Sequence, residues 1–285
     1  MNDQAARLRE LVSRGKTVKE AKTIAILSGK GGVGKSNIAL NFAIGLSQQQ
    51  KKVLLFDLDF GMGNIDILMG VSPKKTIIDL FRDPSLSLSN IIEEGPEGLS
   101  YIAGGSGLSG VFEMEQAYFD RFLSQLSEIT YNYDYIIFDM GAGITHEHMN
   151  FALAAHECFI VTTTEMTAIT DAYSVMKNVT AKQPNLPLYL IVNRTFQDKE
   201  GISTQNRLQQ VASQFLKKDI HLLGMIPDDY AVVEAVKKQS PFTISNPRSL
   251  VSRKMRKLIS DYLHGAQTIE NHSFVTKLKM MFRGR

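Results

Sequence analysis

Cysteine is almost missing from this chain: among 285 residues there is only Cys158. An internal disulfide is thereby excluded, as is any metal or cluster site built from several thiolates, and the composition fits a reducing compartment. Long apolar runs are missing too. No stretch approaches the ~20 residues that cross a bilayer as a helix, and the polar start MNDQAARLRE does not read as a signal peptide. No Pro/Gly/Ser-rich linker divides the chain, no repeat recurs and no segment is of low complexity. One large α/β domain with terminal extensions is the economical expectation. Net charge is small as well, at +3. That figure hides an asymmetry, because residues 248–285 carry nine Lys/Arg against Asp261 and Glu270, leaving the rest of the chain acidic. Basic character confined to the tail points to a local anionic partner rather than to a protein that coats nucleic acid.

What is present begins with Gly29-Lys30-Gly31-Gly32-Val33-Gly34-Lys35-Ser36. An apolar run, Thr23 to Leu27, precedes it and a helical pattern from Asn37 to Leu46 follows. Strand, glycine loop and helix are the context that makes a Walker A pattern a phosphate site. The glycines let backbone N–H groups close around phosphate oxygens, and the helix N-terminus adds positive dipole. Lys35 is expected at the β- and γ-phosphates, and the Ser36 hydroxyl on Mg²⁺. The chain is read as an ATP/ADP-binding protein.

Two further apolar strands end in acids. Lys52 to Phe56 runs into Asp57-Leu58-Asp59, and Tyr133 to Phe138 runs into Asp139-Met140-Gly141-Ala142-Gly143. Ligands collect beyond the carboxyl ends of strands in parallel α/β sheets, so these acids lie near the nucleotide, with Asp139 placed to hold Mg²⁺ through water. Strands are also expected at Leu99 to Ala103, Glu157 to Thr163, Leu188 to Val192 and Leu222 to Ile226. Short helices are expected at Thr76 to Phe81 and Ser89 to Ile92, and a longer one from Glu115 to Ile129. The fold class is α/β, a doubly wound, mostly parallel sheet with helices on both faces. The loop Gly104 to Gly110 has glycines but no lysine, and receives no phosphate role. His146 and His148 flank Glu147 without a zinc spacing and are expected to be solvated or hydrogen-bonding. Cys158 is most simply a core residue.

The loop KGGVGKS, with its second lysine, resembles the deviant Walker A of the family that holds MinD, the ParA partition proteins and the nitrogenase iron protein. The resemblance implies that Lys30 reaches across a nucleotide-sandwich homodimer to the partner's ATP. Asp57 to Asp66 looks like the family's switch I; by that match Asp59 orients the attacking water, Asp57 supports the Mg²⁺ shell or the loop, and Asn64 faces the dimer partner. Asp139 to Gly143 resembles switch II, although the family more usually has Pro-Ala-Gly where this chain has Gly141-Ala142-Gly143. Asn37 follows the loop serine. Asn193 and Arg194 match the first adenine-side segment, where an amide can both donate and accept, and Pro227-Asp228 matches the second. Thr170-Asp171-Ala172-Tyr173 suggests a dimer or partner face at Asp171, with a solvated helix acid as the alternative. Finally, DQAARLR, with Asp3, Gln4 and Arg9, resembles the N-terminal motif of FlhG, the MinD-like regulators of flagellar number and placement. In those proteins it stimulates FlhF, a signal-recognition-type GTPase.

The tail completes the pattern. At about 100° per residue, Phe274, Val275, Leu278, Met281 and Phe282 share an arc of roughly 120°, flanked by Lys277, Lys279 and Arg283. A last helix packed on the domain would show the same periodicity. Terminal position, local charge and the paired phenylalanines favour a helix at an anionic lipid surface. In an ADP-bound monomer the apolar face needs cover, which the domain itself can supply. Three segments follow: residues 1–22, a partner-activating extension; 23–265, a P-loop ATPase domain; and 266–285, a membrane-targeting helix. The implied protein is cytoplasmic, visits the inner face of the membrane and hydrolyses ATP slowly, depending on partners. Those partners are a second copy, an FlhF-type GTPase, anionic lipid and flagellar C-ring components, with no specific nucleic acid. A cell-division MinD normally starts almost at the P-loop strand and has a threonine pair where this chain has Ser36-Asn37. A ParA-type partition protein would bind DNA with strong salt dependence. An iron–sulfur carrier needs cysteines that this chain lacks. A scaffold that binds nucleotide without hydrolysing it would show no turnover.

Overall fold

Apolar, β-branched runs too short for helices set the frame of the molecule. The computed structural model describes residues 19–59, 63–105, 116–141, 143, 145–265 and 273–283. Its strands are β1 (Lys22–Leu27), β2 (Val53–Leu58), β3 (Glu93–Glu94), β4 (Ser100–Ile102), β5 (Tyr135–Met140), β6 (Glu157–Thr162), β7 (Leu188–Thr195) and β8 (His221–Pro227). They form one sheet in the order β3-β4-β2-β5-β1-β6-β7-β8. Every pairing is parallel except β3 with β4. Parallel strands covered on both faces bury both sets of side chains, which is why β2 and β6 are buried at every position. The edge strand β3 was not expected from the sequence. Its two glutamates carry no apolar signal, and its pairing with Ser100 and Tyr101 is a tertiary event.

Each face of the sheet has its own core. On one face, Ile24, Ile26, Leu55, Ile137, Phe159 and Ile191 pack under α1 (Lys35–Gln48), α2 (Ile65–Met69), α8 (Tyr230–Lys237), α9 (Phe242–Ser245) and α10 (Leu250–Gly265). The helix α1 is buried nearly all round. Its Asn41 is satisfied by accepting from Thr243 (N–H 3.0 Å, hydroxyl 2.8 Å) and donating to the Asn37 carbonyl. On the other face, Ala25, Leu54, Phe56, Phe138, Cys158 and Leu190 pack under α3 (Ile77–Arg82), α4 (Gln116–Ile129), α5 (His146–Ala154), α6 (Met166–Lys182) and α7 (Asp198–Val211).

At the amino ends of the strands a buried charge is shared out. Glu157, at the start of β6, lies 2.5 Å from Lys22 of β1 and accepts from the Tyr262 hydroxyl of α10 at 2.7 Å and, more weakly, from Tyr189 of β7 at 3.4 Å. Burial, with the Glu157 charge, pushes the Tyr262 phenol well above its ordinary value. This knot ties four elements together at the end of the sheet opposite the glycine loop.

The last helix, α11 (Phe274–Arg283), lies against α5 and α4. Phe274 stacks on Phe138 of β5 at 5.0 Å, and Phe282 meets Phe119 of α4 at 4.4 Å and Phe151 of α5 at 6.2 Å. Phe274, Val275, Leu278 and Phe282 are buried, Met281 is half-buried, and Met280 points to solvent. The apolar face expected at a membrane is therefore covered by the domain in this structure. Ser273, just before α11, donates to Glu20, just before β1, at 3.0 Å.

Candidate nucleotide site

The order of the sheet reverses at β1, which sits between β5 and β6. A crevice opens beyond the carboxyl ends of strands at such a switch point, and there the chain leaves β1 as the loop Gly29 to Gly34. Gly32 and Gly34 have φ of +80° and +87°, the left-handed region where a side chain is disfavoured. Gly34 has a second reason to be glycine, since a Cβ there would lie 2.3 Å from Asn193 Nδ2. Gly29 presses on the backbone of Asp171 in α6, 2.4 Å from where its Cβ would be. Asp171 thus supports the loop from the side while staying half-exposed.

Lys35 opens α1 and is buried, with Nζ 2.5 Å from Asp139 Oδ1 at the end of β5. Asp139 stands in register with Asp57 on β2, which brings the two carboxylates side by side. Asp57 is 1% exposed and accepts from the N–H groups of Asp59 (2.9 Å), Asn64 (3.1 Å) and Ile65 (3.4 Å). Burial, and then the charge of Asp139, push Asp57 up to about 7. Two buried acids thus share one lysine, and the half-buried Ser36 lies beside Lys35. This hard-oxygen set suits a divalent cation of the Mg²⁺ type. Asp57 also shapes the loop that follows it, through three backbone bonds. Among the described residues no cluster of three or more acidic, histidine or cysteine ligands offers a further metal site.

With phosphate loop and acids in place, the chain can be set beside known proteins. Residues 24–242 match the model of the CobQ/CobB/MinD/ParA nucleotide-binding domain. The chain is 34% identical to the flagellum site-determining protein YlxH of Helicobacter pylori, over 99% of both chains. It is 32% identical to the antiactivator FleN of Pseudomonas aeruginosa, over 81% of this chain and 82% of that one. The chain belongs to the MinD/ParA family, in its FleN/YlxH branch. Its fold is that of the cell division ATPase MinD of Pyrococcus furiosus, with a TM-score of 0.70 at 22% identity over 86% of this chain and all of that one. A MinD of Pyrococcus horikoshii solved with Mg-ADP gives 0.68 at 24% identity, over 86% and 98%.

The family's second loop lysine, Lys30, is occupied within its own chain. Its Nζ donates to Glu165 Oε2 at 2.9 Å and to Thr167 Oγ1 at 3.1 Å, at the start of α6. The hydrogen bond and charge of Lys30 hold the Glu165 carboxyl below its ordinary value. The pair is open to solvent and so costs little to separate.

At the end of β7, Asn193 is buried and donates to the Val33 carbonyl at 2.8 Å, tying that strand to the glycine loop. Arg194 follows with φ of +54°, its side chain exposed. Of the two acids after Pro227, Asp229 is used structurally. It caps α8 by accepting from Ala231 at 2.9 Å and also accepts from Val251 at 3.1 Å. Asp228 is exposed. Asn64 is exposed, and Asn37 half-buried. Asp3, Gln4 and Arg9 lie outside the described residues.

Two features of the site were not seen in the sequence. Gly104, from the glycine loop given no phosphate role, packs on the end of β2, with its missing Cβ 3.0 Å from the Asp57 carbonyl. And His148, expected to be solvated or hydrogen-bonding, is the latter, in a place the sequence did not show: it is buried beneath the end of β2, with Nε2 3.0 Å from the Leu58 carbonyl.

Proposed function

We propose that this protein is an ATPase that sets flagellar number and placement, cycling between an ADP-bound monomer and an ATP-bound homodimer. The single observation that carries the reading is the lysine pair. Lys35 is buried on Asp139, serving its own chain's nucleotide, while Lys30 rests on a solvent-open carboxylate from which it can swing to a partner. Names borne by relatives, a flagellum site-determining protein and an antiactivator, support the flagellar output.

In this reading ATP phosphates occupy the loop amides and meet Lys35. Asn193 and Asp228 face the base. Mg²⁺ bound through Ser36, Asp57 and Asp139 would neutralise phosphate charge. Asp59 orients the water, and Lys30 of each chain neutralises charge on the partner's ATP. Catalysis rests on positioning and electrostatics, with no strong glutamate base, so turnover alone is slow. The N-terminal Asp3, Gln4 and Arg9 stimulate a signal-recognition-type GTPase, and α11 places the dimer on anionic lipid. The test is light scattering after size exclusion, with ATP and with ADP, on Asp59→Ala. A dimer with ATP and a monomer with ADP is expected. A monomer in both would overturn the dimer cycle, and wild type that does not hydrolyse ATP would overturn the ATPase reading.

A further inference from the structure

His148 sits at a junction that the motifs do not include. The residue is 9% exposed, in the first turn of α5, between the ends of β2 and β5. A carbonyl oxygen only accepts, so the 3.0 Å contact with Leu58 requires that His148 Nε2 carry the proton and donate. Leu58 is the residue before Asp59, so the bond holds the backbone that carries the water-orienting acid. The other nitrogen, Nδ1, is then a bare acceptor, buried and without a partner.

The same ring bears on the residue that follows β5, Gly141. Its φ is not in the left-handed region, so backbone conformation does not demand glycine. Space does. A Cβ on Gly141 would lie 2.7 Å from His148 Cε1, and 3.4 and 3.5 Å from Asp59 Cγ and Oδ1. A contact of 2.7 Å is far inside carbon–carbon van der Waals range, and an imidazole held by a hydrogen bond on one side and a helix on the other has little room to yield. The ring thus fills the place that a side chain at 141 would take, and it stands within one missing carbon of the Asp59 carboxylate.

We propose that His148 is a positioning residue for hydrolysis, tethering switch I through the Leu58 carbonyl, and that Gly141 is its matched partner in switch II. The inference rests on the ATPase reading for its kinetic consequences, but the tether itself does not. Removing the ring frees the Leu58 carbonyl and leaves a gap beside Asp59. Misplacement of a water-orienting group by even about 1 Å can cost up to ~100-fold in rate. Nucleotide binding, which depends on the glycine loop and Lys35, is untouched.

The experiment uses the full chain. Glutamine places its amide nitrogen where His148 has Nε2, whereas asparagine reaches only the Nδ1 position. His148→Ala should lower kcat for ATP about tenfold or more with KM within about twofold, His148→Gln should restore most of it, and His148→Asn should not. Gly141→Ala should lower kcat about tenfold in the wild-type background and less than about threefold when added to His148→Ala, because the clash is then gone. Independently of turnover, hydrogen exchange in the 57–65 segment of the nucleotide-free protein should quicken in His148→Ala and not in His148→Gln. Wild-type exchange in His148→Ala would overturn the tether. Rescue by asparagine but not glutamine would show that Nδ1 is the atom that matters, and would also overturn it. Additive effects of Gly141→Ala and His148→Ala would overturn the pairing. A wild-type protein with no ATP turnover but the expected exchange pattern would sink the ATPase reading and leave the tether standing.

Discussion

Single side chains divide the work of the site by burial. Lys35 has no freedom, at 2.5 Å from Asp139 inside the domain, while Lys30 is held only by a solvent-open pair with Glu165. Lys30→Ala should therefore abolish the ATP-dependent dimer while leaving ATP binding to the monomer within severalfold of wild type, as light scattering and nucleotide titration would show. Lys35→Ala should lose nucleotide binding itself. Normal dimerisation of Lys30→Ala would rule out a trans role for that lysine. His148 supplies a pH test of burial. Desolvation holds its imidazole below the ordinary value of 6.5, against the pull of its Leu58 bond and the Asp59 charge. The unfolded chain then takes a proton that the folded one refuses, so this group's contribution to stability is lost as pH falls below about 6.5. His148→Gln has no such term. Its melting temperature relative to wild type should rise as the nucleotide-free proteins are taken from pH 7.5 to pH 5.5, and a constant difference would mean that the ring is solvated.

Elements are held in register by a few buried polar contacts, and the Glu157 knot is the heaviest of them. Removing one partner of a buried ion pair leaves the other uncompensated and typically costs about 3–5 kcal/mol. Glu157→Ala should cost an amount of that order in urea unfolding. It should leave nucleotide affinity unchanged, because Lys22, Glu157 and Tyr262 meet at the strand ends away from the glycine loop. A loss of affinity that matches the loss of stability would show that the two ends of the sheet are not independent. The strands themselves were legible as apolar runs, since double-sided burial leaves little room for polar residues. So were the acids at their ends, because a parallel sheet delivers carboxyl ends to one crevice. What could not be read was set by partners distant in sequence. Glu93 and Glu94 form a strand only because β4 offers its edge. Which acid of Asp228-Asp229 caps α8 depends on where Ala231 and Val251 lie. His148 looked like one of two histidines beside a glutamate, and the glycine loop at 104 like a connection, because the β2 carbonyls they meet are 90 and 47 residues away.

At the scale of the whole molecule the proposed membrane role turns on what would move α11. Its buried phenylalanines are worth about 1.5–3 kcal/mol each wherever they are taken out of water, so groove and bilayer offer similar apolar reward. The difference must come from elsewhere. Lys277, Lys279 and Arg283 add about 1 kcal/mol each near an anionic surface, and two tethered helices in one dimer raise the effective concentration of the second. On the proposed cycle a monomer would lack that second term and keep α11 where the structure has it, against α4 and α5 and with the Ser273–Glu20 bond. Wild type should thus sediment with anionic vesicles in ATP but weakly in ADP, and less as salt rises. Two substitutions separate groove from membrane. Phe274→Glu with Phe282→Glu spoils the helix for both, and should abolish sedimentation in ATP while sparing the dimer. Phe119→Ala removes only the groove's contact with Phe282, 4.4 Å away, and leaves the helix able to enter lipid. It should raise sedimentation in ADP toward the ATP level. Equal sedimentation of wild type in the two nucleotides would refute the switch, and an unchanged ADP value for Phe119→Ala would show that the docked helix is not what restrains it.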